Sequence, residues 1–215
     1  SWHHAYHQLE LGIPIFIAVF CETSLFSIVG LLMAEFGTLY LAANQAAISF
    51  TTLTYTIPWS ISLTATIVIG YEVGAKNYAV ARQYAVLCQL TALFIAIGVT
   101  LFTYVFVDDI AAIFTTDAET LLALRSFLLC AVAFAFCDAM GTPVQGILRG
   151  YKDVRIITYI AFITYWFISI PMGYAMAHLT PYGPFGYWLS LIISLAINAA
   201  ALNWRLWKQT AWRLS

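Results

Sequence analysis

The sequence predicts an all-α integral membrane protein, a bundle of six transmembrane helices, and three observations carry that prediction. Of the 215 residues, 62% are hydrophobic and only 9% charged, whereas roughly 25% are charged in soluble domains; the mean hydropathy is +0.86. The apolar residues fall into six runs, each long enough at about 1.5 Å per helical residue to cross a hydrocarbon core of about 30 Å. The 7 Trp and 13 Tyr suit rings stationed at the two headgroup layers.

The spans are read at about 9–34, 42–73, 81–107, 120–148, 156–177 and 187–206, within one domain covering residues 1–215. The opening Ser1 to Gln8 reads as a juxtamembrane segment. His3, His4 and His7 stand at helical spacing there, a pattern that suits interfacial histidines better than a metal site. Pro14 falls near the predicted start of span one, where a missing N–H costs least. A short loop around Glu35 to Tyr40 precedes span two, which carries an interior Pro58. A proline there frees the carbonyl near residue 54 and bends the axis. Span two is also rich in hydroxyls and amides, from Asn44 and Gln45 through Ser49, Thr51, Thr52, Thr54 and Thr56 to Thr66. That density points to one face meeting water or a ligand, beyond what packing through small polar residues needs. Gly74-Ala75-Lys76-Asn77, a loop bearing Asp108, Asp109, Asp117 and Glu119, the basic turn Arg149 to Asp153, and a Pro181–Gly186 turn separate the remaining spans.

Cys21, Cys88, Cys130 and Cys137 all lie inside apolar runs and read as small core residues, outside any disulfide or zinc framework. No signal peptide is recognisable, and a chain that starts at Ser1 is expected to be a piece of something longer. Lys76, Arg82, Arg149, Lys152, Arg155, Arg205, Lys208 and Arg213 fall on the even loops and the C-terminal tail; only Arg125 lies on the other side. The positive-inside rule then places both termini in the cytoplasm, with the lipid bilayer as solvent and no nucleic-acid partner expected.

Two residues break the apolar pattern. Glu22 lies in the middle of the run from Leu11 to Ala34, and Asp138 lies inside span four. A charge at such depth costs roughly 2.5 kcal/mol or more on insertion scales, and intramembrane acids mark ion pathways by default. Counted from the basic ends, Glu22 lies about 20 Å and Asp138 about 18 Å into the membrane, on antiparallel helices. No basic residue is expected at that depth. Two carboxylates sharing a low-dielectric site cannot both ionise comfortably without a cation; a proton or a sodium ion would relieve them. Oxygen ligands of this kind suit hard cations, and nearby Thr and Asn side chains could complete a shell. Tyr55, three residues before Pro58, could turn its ring toward the site, where its face would attract a cation; packing explains it about equally well.

The chain resembles the C-terminal half of a multidrug and toxic compound extrusion (MATE) transporter of the NorM-like branch. The likeness rests on Gly12-Ile13-Pro14 and Glu22, on Ala43-Asn44-Gln45, on Pro58 with Ser60, and on Gly70 followed by Gly74 to Asn77. Asp138 and the run Leu148 to Asp153 complete it, while Val68 stands where many members of the family have an arginine. The resemblance implies a twelve-helix transporter of two lobes related by a pseudo-twofold axis, this chain being the second and an N-terminal lobe its missing partner. It implies export of cationic or amphipathic drugs across the bacterial inner membrane, driven by inward Na+ or H+, with no cofactor beyond the coupling ion. It also implies that Glu22, Asp138 and Tyr55 serve the coupling cation and that Gln45 and Asp117 lie where a substrate cavity opens between lobes. On the residues alone Asp117 reads equally well as a solvated loop acid.

Two other classes fit the residues less well. A lipid or polysaccharide flippase of the same superfamily would line its cavity with basic residues to meet phosphate, and the spans hold no Lys or Arg away from their ends, where Arg82, Arg125 and Arg205 lie. An intramembrane aspartyl protease would need a glycine-framed aspartate that span four lacks, so the chain is not expected to be an enzyme.

Overall fold

In the computed structural model, residues 2–212 are described; the surroundings of the side chains of residues 2–5, 7 and 210–212 are outside that description. The His3, His4 and His7 side chains and Arg213 therefore lie outside the described residues. Helices are α1 (Trp2–Met33), α2 (Thr38–Gly74), α3 (Tyr78–Val105), α4 (Val107–Phe114), α5 (Ala118–Gly150), α6 (Val154–Phe162), α7 (Ile170–Leu179) and α8 (Phe185–Trp212). A π-helical segment, Ile163–Ser169, joins α6 to α7. Among the described residues six stretches are long and apolar enough to cross a membrane: Gln8–Phe36, Thr38–Gly74, Tyr78–Val105, Ala118–Gly150, Val154–Leu179 and Phe185–Gln209. These are the six predicted spans, each a few residues longer at one or both ends.

The helix α5 is the central post. It packs against α2, α3, α4 and α8, while α1 leans on α6 and α7 on α8. From Gly141 to Leu148 every residue of α5 is buried, because neighbours surround that half of the helix. The tightest crossing is with α2. A Cβ added at Gly146 would stand 2.1 Å from the Ser62 carbonyl oxygen, so only glycine lets the two backbones meet there. The Thr66 hydroxyl donates to the Gly146 carbonyl at 3.0 Å across the same contact. At the opposite end Trp188 of α8, fully buried, donates its indole N–H to Asn44 of α2 at 3.0 Å. Phe127 and Phe134 pack against that indole, and Phe185 packs on Phe127. These contacts fix the relative heights of α2, α5 and α8, the helices on which most of the site depends.

The same turn closes α2 and α5. After Gly74 and after Gly150 comes a residue, then a lysine at positive φ (Lys76 63°, Lys152 64°), then Asn77 or Asp153. In both turns the lysine N–H bonds three residues back and the next N–H five residues back, to Val73 and Glu72 or to Arg149 and Leu148. These bonds satisfy the last helical carbonyls. Asp153 then accepts from Arg205 of α8 at 2.6 Å.

Three local expectations are corrected. The opening segment continues the helix, so Pro14 sits well inside α1; the carbonyl of Pro14 is itself engaged, accepting from the Thr158 hydroxyl of α6 at 2.7 Å. The acidic loop after span three contains the short helix α4, whose Val107, Ile110 and Ala111 are buried at helical spacing. Asp108 and Asp109 lie in its first turn, where the helix dipole favours anions, and Asp108 pairs with Arg125 at 2.8 Å. That pair accounts for the lone basic residue on the acidic side. Span five is not a uniform α-helix: its middle turns are π-helical just before Pro171, a residue with no N–H for the regular ladder.

Candidate functional site

The buried stripe of α1 is Ala18, Cys21, Leu25, Val29 and Met33, repeating at three and four residues as a packed helix face does. Glu22 lies at the edge of that stripe and so looks along the seam between α1 and α2. There it lines a cavity of about 250 Å³ with Val19, Phe26, Thr52, Tyr55 and Trp59. Asp138 comes from the buried side of α5 and is only 3% exposed. Its Oδ1 accepts from the Thr142 hydroxyl at 2.7 Å, one turn along the same helix. It lines a smaller cavity of about 20 Å³ with Thr54, Tyr55, Pro58 and Ala139, room for about one water or a bare ion.

Thr51, Tyr55 and Phe134 line both cavities. The two acids are thus the ends of one site with Tyr55 between them, and they lie within electrostatic reach of each other. Tyr55 stacks on Trp59 at 5.8 Å between ring centroids, which holds its ring in the wall. Glu22, Asp138 and Tyr55, singled out in the sequence, are brought together. Gln45 and Asp117 are not part of this group. Gln45 is exposed on α2; Asp117 is exposed at the start of α5, where its carboxylate caps the helix by accepting from the Thr120 N–H at 2.9 Å and hydroxyl at 2.7 Å. Those two hydrogen bonds hold the Asp117 carboxyl below the usual carboxylate range.

The hydroxyls of α2 largely bond to their own helix. Ser49, Thr51, Thr52, Thr56, Ser60 and Thr64 all donate to carbonyls three or four residues back, which hides their protons from lipid. A hydroxyl tied down in this way still presents lone pairs, and Thr51 and Thr54 present theirs beside Asp138. The prolines add to the donor set. Pro58 leaves the Thr54 carbonyl, and Pro143 the Ala139 carbonyl, without the usual N–H donor. Thr54 and Ala139 line the same small cavity as Asp138. Among the described residues no three His, Cys, Asp or Glu side chains converge. In a largely apolar wall, the groups that meet at the smaller cavity are the Asp138 carboxylate and the Thr51 and Thr54 hydroxyls, oxygen donors of the kind a hard cation prefers.

Two features were not found from sequence. Tyr165 lies on the π-helical segment and faces Glu22 across a third, water-sized space that Phe134, Leu191 and Leu195 complete. Its hydroxyl is buried with no hydrogen-bond partner among the described residues. Such an orphan group costs about 1–3 kcal/mol. A tyrosine in an aromatic-rich apolar run carries no sequence signal of this; only the shift of register in a π-turn, a recurrent device at functional sites, aims it inward. Pro171, which accompanies that turn, was the one available hint. One turn beyond Leu195 on α8, Asn198 donates to the Thr164 hydroxyl at 3.0 Å, and its own Oδ1 has no partner.

The second feature is Arg149. No ion pair joins Glu22 or Asp138 to a Lys or Arg among the described residues. Arg149 nevertheless folds inward from the basic end: its guanidinium stands 5.5 Å from the Trp59 ring centroid and donates to Gln145 at 3.3 Å. From there it lies within electrostatic range of Glu22. The side chain is long enough to carry charge about a turn and a half toward mid-membrane, which residue position alone understates.

Comparison with known proteins identifies the family and the fold. The MatE family model matches residues 14–175. A probable multidrug resistance protein NorM of Bacillus cereus is 46% identical over 200 residues, 93% of this chain and 44% of that protein. The protein of the same name from Halalkalibacterium halodurans is 44% identical over 198 residues, 92% and 43% of the two chains. The crystal structure of the eukaryotic MATE transporter AtDTX14 superposes with a TM-score of 0.90 at 20% identity, over 98% of this chain and 48% of that one. The chain spans less than half the length of these relatives.

Proposed function

Because the chain belongs to the MatE family, we propose that it forms the C-terminal lobe of a twelve-helix secondary transporter. On this reading the transporter exports cationic or amphipathic compounds in exchange for Na+ or H+ moving inward. The observation that carries the reading is the site itself: the buried Asp138 and the half-buried Glu22, with no basic ion-pair partner among the described residues, on cavities that share Tyr55 and include several hydroxyl-bearing residues. A cation bound there neutralises the pair, and its release leaves two acids that cannot comfortably both stay charged. The site therefore has two charge states to which a lobe movement can be coupled.

In this mechanism Asp138 is the anchor, its Oδ1 oriented by Thr142, and Glu22 is the gate-side carboxylate, standing on the larger cavity. Tyr55 separates the two positions and offers its ring face to a cation passing between them. Drug substrates enter on the α1–α2 side, where the N-terminal lobe of the full-length protein supplies the opposite wall. Gln45 and Asp117 contribute near the outer rim. Both termini lie in the cytoplasm of a bacterial cell, a reading supported by Lys76, Arg82, Lys152, Arg155, Arg205 and Lys208 all falling at one end of the bundle. A phosphate-bearing cargo, the alternative, is less well served: among the described residues the lining of the larger cavity includes Glu22 and no Lys or Arg, and Arg149 approaches it only over the Trp59 ring.

The test is export by the full-length protein in vesicles, with a sodium gradient and a pH gradient imposed separately. One of the two is expected to drive export, and Glu22→Gln and Asp138→Asn to lose it. Gradient-driven export at full rate in both variants would remove the mechanism.

A further inference from the structure

On the outer side of α5, away from the cavities at Glu22 and Asp138, α3 and α8 diverge and leave a groove of about 300 Å³ lined by Arg82, Ala85, Val86, Gln89, Asn203 and Trp207. We propose that this groove binds an anionic glycerophospholipid of the leaflet at the basic end, with its phosphate on Arg82 and an acyl chain running inward past Val86. The proposal goes beyond transport and needs from the reading above only that this end of the bundle meets a headgroup layer.

Four observations carry it. Arg82, Ala85, Val86 and Gln89 follow helical spacing and so present one face of α3 to the groove. Arg82 lies four residues into α3, about 6 Å along the axis and hence at headgroup depth. It is exposed and makes no ion pair among the described residues, whereas Arg125, Arg155 and Arg205 each hold a carboxylate. A guanidinium left free beside a groove matches a phosphate in charge and in bidentate geometry. Second, the floor is fixed and polar: Gln89 donates to the Asn203 Oδ1 at 2.8 Å, and Asn203 donates to the carbonyls of Met140 and Ala199 at 2.9 and 2.8 Å. An amide pair at that depth, tied to α5, keeps the groove open where α3 and α8 would otherwise close onto each other.

Third, Trp207 stands at the rim, and aromatic rings favour this level of a bilayer. Fourth, the volume reaches the lower end of the range for small-molecule sites, enough for a glycerophosphate and the first methylenes of a chain. Basic pockets between helices on the cytoplasmic side are the usual seats of acidic lipid headgroups.

Native mass spectrometry of the detergent-purified full-length protein tests the assignment, using phosphatidylglycerol and phosphatidylcholine with identical acyl chains. Phosphatidylglycerol is expected to bind at least fivefold more tightly. Arg82→Gln should weaken it about five- to tenfold, the effect of one basic residue at a membrane surface, and leave phosphatidylcholine unchanged. Val86→Trp fills the groove while keeping the charge and should also remove the tight phosphatidylglycerol binding. Lys152→Gln, a basic residue of the same end outside the groove, should have no effect. Equal affinity for the two lipids, an unchanged phosphatidylglycerol affinity in Arg82→Gln or Val86→Trp, or the same loss in Lys152→Gln would each overturn the proposal.

Discussion

Asp138→Asn should uncouple the transporter without disturbing its fold. Asparagine matches the size of aspartate, and its Oδ1 can still accept from the Thr142 hydroxyl that now stands 2.7 Å from Asp138. Packing around this nearly inaccessible side chain is therefore kept. What disappears is one negative charge beside the cation that the proposed site would hold. With an effective dielectric near 20, opposite unit charges at about 4 Å attract by about 4 kcal/mol. The neutral amide returns part of that, since it no longer has to be desolvated as an ion, leaving a net loss of about 3 kcal/mol. At 1.4 kcal/mol per decade, cation affinity falls by roughly two orders of magnitude. Sodium titration of the purified full-length protein, read by tryptophan fluorescence because Trp59 lines the Glu22 cavity, measures that loss for a sodium-coupled protein. For a proton-coupled one the sodium titration is flat in both proteins, and export driven by a pH gradient is the readout. A variant whose cation affinity stays within threefold of the parent, with gradient-driven export intact, would refute the reasoning.

Tyr165→Phe removes an orphan buried hydroxyl and should leave thermal stability unchanged or slightly higher, while sodium affinity in a sodium-coupled protein falls about tenfold; a purely structural tyrosine would show no loss of affinity. Gly146→Ala drives a methyl to 2.1 Å from the Ser62 carbonyl oxygen, so α2 and α5 must separate by about 1 Å and stability should fall by about 3 kcal/mol. Gly12→Ala, with nothing within 4 Å of the added Cβ, is the matched control and should melt in detergent at the parent temperature. Asp117→Ala removes the α5 cap and should speed amide exchange over the first turn of that helix. Because the Asp117 carboxyl is held below its ordinary value of 3.8, its stabilisation is fully present above that pH and is lost as pH falls through the lower folded value; the difference between parent and variant should therefore vanish only in strong acid.

The six spans were legible because twenty-residue apolar runs leave a chain few choices in lipid. Glu22 and Asp138 were legible because a charge in such a run is conspicuous, and counting residues from the basic ends set both at one depth. Pro58 gave a freed carbonyl near residue 54. Pro143 went unread as its counterpart, because a proline on a second helix has meaning only once the two helices are known to face one cavity. The dense hydroxyls of α2 read as a wet face; most of them bond to their own helix, and Thr51, Thr52 and Thr54 also line the cavities. Asp108 and Asp109 were read as loop acids, and the buried faces of α4 are too short to register as a period.

By itself the sequence determined the class, the number of crossings, the family and the two acids, since each of these is written in local composition or in one-dimensional spacing. Only the tertiary structure decided that Tyr55 stands between the acids, that Tyr165 turns inward from a π-helical segment, that Arg149 reaches back along Trp59, and that α3 and α8 part around Arg82. Those are facts about which faces of different helices meet. They are set by close approaches such as Gly146 on Ser62 and by the anchoring of Trp188 on Asn44, contacts between residues far apart in the chain that no single helix specifies alone.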